Sequence, residues 1–329
     1  MVEVMVEDKR RTDLCEWIDR STPYDSAQLE VASTDASFRR YFRVNSPSGS
    51  RIVMDAPPDL EPCTPFIEIA EKLSQAGIRV PKIYHQDSQL GFIILSDFGD
   101  THYQDALSSE QRNELYQRAI QEIIKMQKGA SQWAEELPIF DSKWQSKELE
   151  IFRDWCLPDL SLTEYNQYIS PLIDGVSAIP KSFMHRDFHC RNLLVLEDGY
   201  PGIIDFQGAM LGPITYDLVS LLRDCYLDNS EEWITRQVRE FRTLLIQSGL
   251  IQPDIDEGTF LKWFDWAGLQ RHLKCVGIFH RLKIRDSKPQ YLKDVPRVLS
   301  YIKQVLQNYP ELYDLHALVE QANFLSPES

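Results

Sequence analysis

Apolar and polar positions divide the chain into a β-rich beginning and a helical remainder. Residues 12–20 read as a short helix with Leu14, Trp17 and Ile18 on one face. From Leu29 to Asp55 the period changes. Phe42 and Val44 alternate with Tyr41 and Arg43, the pattern of a strand. Asn45–Ser50 is a turn by composition, and Arg51–Met54 resumes as a strand. Pro65–Ala76 carries Phe66, Ile69, Ala70 and Leu73 at helical spacing and stops at Gly77. Val80–Tyr84 and Gly91–Ser96 give two further strands, so the order is three strands, a helix and two strands. Beyond Asp105 helices dominate: Gln111–Gln127, Pro138–Trp155, Leu162–Ile173, and again from Asp217 onward. Short β segments interrupt them at Leu193–Leu196 and Gly202–Ile204. The expected architecture is α+β and bilobal. A small antiparallel-sheet lobe spans residues 1–98 and a larger, mainly helical lobe spans 99–329, the boundary falling near Asp97–Asp105.

Composition adds limits. With 329 residues, 43% hydrophobic and 26% charged, the chain has the make-up of an ordinary globular protein with a sizeable core. A formal net charge of -15 argues against nucleic acid, which demands a basic surface. The six cysteines, at 15, 63, 156, 190, 225 and 275, show no C-x-x-C or paired spacing, so reduced thiols are expected. Met1–Arg11 lacks the apolar core of a signal peptide, and no apolar run nears the roughly 20 residues of a membrane span. The expected setting is soluble and cytoplasmic, with a small-molecule substrate, no membrane and no protein partner implied.

The chemistry concentrates in one stretch. His185-Arg186-Asp187-Phe188-His189-Cys190-Arg191-Asn192 has the H-R-D-x-x-x-x-N spacing of a phosphoryl-transfer loop. The apolar run Leu193–Leu196, a turn at Glu197-Asp198-Gly199 and then Ile203-Ile204-Asp205 follow it. Asp187 can accept the proton of an attacking hydroxyl. Asn192 and Asp205 offer one carboxamide and one carboxylate, the hard oxygens that Mg2+ prefers. A lone His-Arg-Asp is common in structural loops; the full octet followed by strand, turn, strand and aspartate is much rarer. His185 reads as structural, and Cys190 as a packed thiol rather than a nucleophile.

Residues 185–217 resemble the aminoglycoside phosphotransferase-like kinases, which share the bilobal protein-kinase fold. The resemblance implies that Asp187 is the catalytic base, that Asn192 and Asp205 hold the metal of ATP-Mg2+, and that Asp217, in Gly212-Pro213…Tyr216-Asp217-Leu218, braces the loop. Longer stretches narrow the match. Asp35–Arg43, Met54–Pro58, Tyr216–Tyr226, Gly268–Lys274 and Tyr291–Val298 are similar to the bacterial anomeric sugar kinases. These phosphorylate the C1 hydroxyl of N-acetylmuramate and N-acetylglucosamine in cell-wall recycling. A kinase for another small alcohol, such as an aminoglycoside or choline, and a nucleotide-binding pseudokinase are the competing readings. An acidic pocket would favour a cationic substrate, and arginine or lysine there the carboxylate of muramate.

The chain departs from the kinase pattern in its first lobe. The third strand reads Ile52-Val53-Met54-Asp55, without the lysine that holds nucleotide phosphates. Ser33-Thr34-Asp35-Ala36-Ser37 stands where a glycine-rich loop is expected. Ser37 and either Arg40 or Arg43 are the expected replacements, guanidinium being a bidentate phosphate ligand. Ser96, Asp97 and Phe98 form the expected adenine hinge, acting through backbone groups. Glu68 and Glu71 read as solvated helix residues, and Glu231-Glu232 as a solvated face. Gln207, where a carboxylate or glycine is usual, is expected to face the sugar. The helix carrying Trp263, Trp266, Gln270, Arg271 and Lys274 is expected to supply further substrate contacts, Arg271 among them.

Overall fold

A computed structural model describes residues 8–33, 38–47, 49–108, 110–322 and 324–325. The chain divides into two compact units, residues 1–100 with 202–207, and residues 101–201 with 208–329. The short segment that carries Asp205 thus clusters with the smaller unit, a division that a single sequence boundary after residue 98 does not contain.

In the smaller unit, helix α1 (Lys9–Ser21) precedes strands β1 (Leu29–Ser33), β2 (Arg40–Val44) and β3 (Arg51–Asp55). Helix α2 (Thr64–Gln75), β4 (Ile83–Asp87) and β5 (Phe92–Ser96) follow. The five strands form one antiparallel sheet in the order β1-β2-β3-β5-β4. The three strands, helix and two strands read from periodicity are all present. Leu14, Trp17 and Ile18 of α1 pack on Phe42, Val44, Val53, Phe92 and Ile94 of the sheet. These are the inward positions of the period-two pattern. Phe66 of α2 stacks on Phe206 with ring centroids 4.9 Å apart.

The larger unit begins with a single turn, α3 (Tyr103–Ala106), followed by α4 (Arg112–Gly129), α5 (Ser142–Cys156) and α6 (Leu162–Ser177). Strand β6 (Lys181–Met184) leads into the His185–Asn192 loop, and β7 (Leu193–Val195) and β8 (Pro201–Ile203) flank the turn after it. Then come β9 (Met210–Pro213), α7 (Tyr216–Leu222), α8 (Glu231–Gln247), α9 (Glu257–Ile284), α10 (Val295–Asn308) and α11 (Tyr313–Glu320). Polar side chains accept the first free N–H groups of the long helices: Asp141 for α5, Ser161 for α6, Ser230 for α8 and Asp256 for α9.

The periodicity reading lacked β6 and β9. Each has four residues, too few to show a period, yet they pair antiparallel from Lys181–Pro213 to Met184–Met210. Helix α9 is the hub, packed against α5, α6, α7, α8 and α10. It is buried nearly all round, so its polar residues Gln270, Arg271, His272 and Lys274 are interior. Among the described residues no helix is long and apolar enough to cross a membrane.

The close crossing of α5 and α9 depends on Gly277. A Cβ built there would lie 2.6–2.7 Å from the Ile151 carbonyl and the Phe152 nitrogen. Alanine would favour the helix by about 1 kcal/mol, but these neighbours are backbone and can yield only if the helices separate. Gly277→Ala is therefore expected to destabilise by a net ~1–3 kcal/mol. The unfolding midpoint, followed by circular dichroism, should fall by roughly 2–4 °C per kcal/mol; an unchanged or higher midpoint would contradict the crossing.

Candidate active site

The β6–β9 pair brings the His185–Asn192 loop beside the start of α7, and Asp217 ties the two. Its Oδ2 accepts the His185 N–H at 2.7 Å and its Oδ1 the Arg186 N–H at 3.1 Å. This is the bracing that the resemblance implies. Burial pushes the Asp217 carboxyl up to about 7, against the two N–H donors and with the nearby Asp187 charge adding to the rise. Arg186 sits at φ 77°, a left-handed conformation rare for a side chain of its size. Tethering of the neighbouring N–H groups sustains it. His185 is fully buried and lies edge-on to Phe188, the structural position expected for it. Cys190 is buried too, and burial with Asp224 beside it drives its thiol upward, away from a nucleophile's range.

Within the loop, Asn192 Nδ2 donates to the Asp187 carbonyl at 2.9 Å. This turns the amide oxygen, the end a hard cation would use, away from that carbonyl. The His189 N–H also donates to the Asp187 carbonyl, at 3.0 Å, so two donors hold the backbone of the proposed base in place.

Asp187 lines an open cavity of about 510 Å³ in the larger unit. One wall is α5, with Trp144, Lys147, Glu148 and Ile151; another is α9, with Arg271, Lys274, Cys275, Ile278, Phe279 and Arg281. Arg186, His189, Cys225 and Tyr226 complete it. Five cationic side chains, Lys147, Arg186, Arg271, Lys274 and Arg281, thus face two carboxylates, Glu148 and Asp187.

The sequence reading missed Glu148, the residue that organises this charge. Its Oε1 accepts Arg186 Nη2 at 2.6 Å and the Trp144 indole N–H at 3.3 Å. Its Oε2 accepts Gln270 Nε2 at 3.1 Å and faces Lys274 Nζ at 3.6 Å. Lys274 also donates to the Tyr216 hydroxyl at 3.2 Å. Gln270 and Lys274, expected to reach the substrate, are thereby engaged with Glu148. Burial opposes ionisation of Glu148, but Lys274 and Arg186 outweigh it and hold the carboxyl below its ordinary range. Asp187 follows the same logic. Burial raises it, and the charges of Lys274, His189, Arg186 and Arg271 together hold it well below.

The remaining expected residues fall in the smaller unit. Ser37 lies outside the described residues. Arg40 donates through Nε to Asp55 Oδ2 at 2.8 Å and also pairs with Asp8. Asp55, at the end of β3, is fully buried and takes Arg10 Nε at 2.9 Å on its other oxygen. Arg43 binds Asp97 through Nε at 2.6 Å and Asp100 through Nη2 at 2.7 Å. Neither arginine is the uncommitted cation that a missing lysine suggests; any phosphate contact would share a guanidinium already held by two carboxylates. Ser96 is engaged with Lys82, its N–H donating to the Lys82 carbonyl and its Oγ accepting the Lys82 N–H, each at 2.9 Å. Asp97 spends its side chain on Arg43 and the Gly99 N–H, and Phe98 is half-buried. Asp205 has φ 64° and accepts Gln207 Nε2 at 2.6 Å. Gln207 is thus placed against the carboxylate rather than by itself.

A second expectation is corrected in the larger unit. Glu231 is not simply solvated, because its carboxylate pairs with the buried Arg223 at 3.0 Å, which also binds Asp265 at 2.7 Å. The cysteines scattered in sequence include two, Cys225 and Cys275, that both line the cavity.

This architecture, a five-stranded antiparallel unit with a mainly helical one bearing a braced His-Arg-Asp loop, is the bilobal protein-kinase-like fold. Solved structures share it. An ethanolamine kinase from Plasmodium vivax matches with a TM-score of 0.63 at 12% identity, covering 89% of this chain and 87% of that one. A choline kinase from Streptococcus pneumoniae matches with a TM-score of 0.60 at 12% identity, over 90% and 99%. The profile of the phosphotransferase enzyme family matches residues 28–249, and the chain belongs to that family. Two N-acetylmuramate/N-acetylglucosamine kinases are each 37% identical to it. The one from Neisseria meningitidis covers 94% of this chain and 95% of its own length, and the one from Pseudomonas aeruginosa 96% and 97%. The chain is accordingly a phosphotransferase with an alcohol group as acceptor.

Replacing Glu148 with glutamine leaves the buried Lys274 and the part-buried Arg186 short of a carboxylate, at an expected cost of about 3 kcal/mol. The effect carries a pH signature. The Glu148 carboxyl is depressed in the folded chain, so its contribution is complete above the ordinary 4.5 and is lost as pH falls below it. Urea midpoints of wild type and Glu148→Gln should differ most at neutral pH and converge in acid; a constant gap would refute the pairing.

Proposed function

We propose that this chain transfers the γ-phosphoryl group of ATP, with Mg2+, to the anomeric hydroxyl of N-acetylmuramate or N-acetylglucosamine, giving a sugar 1-phosphate for cell-wall recycling. The observation that carries the acceptor class is the cavity around Asp187, where five cations meet two carboxylates. Such a pocket repels an aminoglycoside or choline and suits an acidic sugar. The printed activity of the 37%-identical relatives, which span the chain nearly end to end, supports the same class.

Asp187 orients the acceptor hydroxyl and takes its proton. A carboxylate held so far down is a weak base, and the hydroxyl it can best assist is the most acidic one on a sugar, the hemiacetal hydroxyl at C1. Phosphoryl transfer asks for little more, since positioning and charge neutralisation do most of the work.

Asn192 and Asp205 fit magnesium by donor type, one carboxamide and one carboxylate oxygen. Bound there, magnesium would neutralise charge on the nucleotide phosphates. We assign the nucleotide to the smaller unit, with the backbone of Asp97 and Phe98 toward adenine and Arg40 or Arg43 sharing its guanidinium with the phosphates.

Two measurements test the reading. Asp187→Asn is expected to lower kcat by roughly 10²–10⁴ while ATP binding, followed by calorimetry, persists; undiminished turnover would remove Asp187 from the mechanism. Phosphorus NMR of the product should show a sugar 1-phosphate, whereas a 6-phosphate would leave the kinase and overturn the anomeric assignment. Because Asp187 stays ionised far into acid, no loss of kcat between pH 8 and 6 is expected from its protonation.

A further inference from the structure

The charges around the cavity do not balance in the same way. Glu148 takes Arg186 and Lys274 together, and the charges of Lys274, Arg186 and Arg271 all help to hold Asp187 ionised. Arg271 is different. It is 2% exposed, lies on α9 and lines the cavity that Asp187 lines. Among the described residues it has no ion-paired carboxylate. Its one hydrogen bond runs from Nη1 to the Cys225 sulfur at 3.4 Å, a weak acceptor, and its Nε has no partner. The groups that bear on its charge are, in order, the Cys275 and Cys225 thiols, the Tyr216 phenol and Asp224, and Asp224 already accepts the Cys190 and Tyr226 N–H groups, each at 2.9 Å. Burying a guanidinium on these terms is costly. The cost is recovered when a ligand brings the missing anion.

Arg281 also lines the cavity and has an unpartnered Nε, but it is only half-buried. It stands ten residues along α9 from Arg271, roughly 15 Å by helical rise. Of the two, Arg271 is the one whose charge bears on Asp187.

We infer that Arg271 is the carboxylate anchor of the acceptor site. It pairs with the acidic substituent of a muramate-type sugar whose C1 hydroxyl faces Asp187, and so sets the preference for the acidic over the neutral amino sugar. The inference rests on the proposed function and names the residue that reads its substrate. A guanidinium meets a carboxylate through two parallel N–H···O bonds, and a dry setting strengthens them. A neutral acceptor fills the cavity but leaves the guanidinium unpaired, which weakens its binding relative to the acid.

Steady-state kinetics of the full chain with ATP-Mg2+ distinguish this role from others. The ratio of kcat/KM for N-acetylmuramate to that for N-acetylglucosamine should fall about tenfold or more in Arg271→Met, mainly through the KM of the acid. Arg271→Lys, which keeps the charge but loses the fork, should recover part of the ratio. An equal loss on both sugars, as expected if Arg271 served the transferred phosphoryl group or only the fold, would overturn the inference, as would an unchanged ratio. Should the wild type phosphorylate neither sugar, the proposed function fails instead. Calorimetric binding of N-acetylmuramate to wild type and Arg271→Met then decides the anchor, equal affinities refuting it.

Discussion

The structure of the cavity turns on one buried carboxylate. Glu148, on α5, joins Arg186 from the loop to Lys274 and Gln270 from α9, so a single side chain connects three separate parts of the larger unit. Without it, the buried Lys274 and the part-buried Arg186 would lose the carboxylate they share. With it, their charge is shared: enough is neutralised for the core to tolerate them, and enough remains to hold Asp187 ionised. Asp217 performs the complementary task on the backbone, holding the His185 and Arg186 N–H groups while Arg186 keeps its left-handed φ. One carboxylate sets the charge of the loop and the other its path.

The loop itself was legible because its residues are local. His185 to Asn192 lie within one octet, and the hydrophobic period on either side marks strands and helices whose order the structure reproduces. Glu148 was not legible. Nothing in Lys147-Glu148-Leu149-Glu150 distinguishes it from Glu150, since its partners lie 38 and 122 residues away. The same distance hid the partners of Arg40 and Arg43, which meet Asp55 and Asp97 only once the sheet is assembled. A period also fails where a helix is surrounded. Gln270, Arg271 and Lys274 of α9 were expected to meet the substrate, yet all three are buried, so polarity there reports internal pairing or a cavity. Strands β6 and β9 are shorter than any period and show only as the pair that brings the loop to Asp217.

These failures have a common form, and it bears on what the cavity can select. The chain is strongly acidic, with a formal net charge of -15, while the cavity is lined mainly by cations. The two are compatible because exposed charge is screened beyond about 8–10 Å at ordinary ionic strength, whereas buried charge such as that of Arg271 and Lys274 is screened much less. An anionic acceptor therefore meets little attraction in bulk and a strong one on entry. Selectivity is then a matter of which internal cation is still unsatisfied. Arg186 and Lys274 are held by Glu148; Arg271 also bears on Asp187 but, among the described residues, has no carboxylate ion-paired with it. With the roles proposed for Asp187 and Arg271, the site asks two things of a substrate at once, an acidic hydroxyl and an anionic group. An amino sugar bearing a free hemiacetal and a carboxylate meets both, and a neutral amino sugar meets only the first.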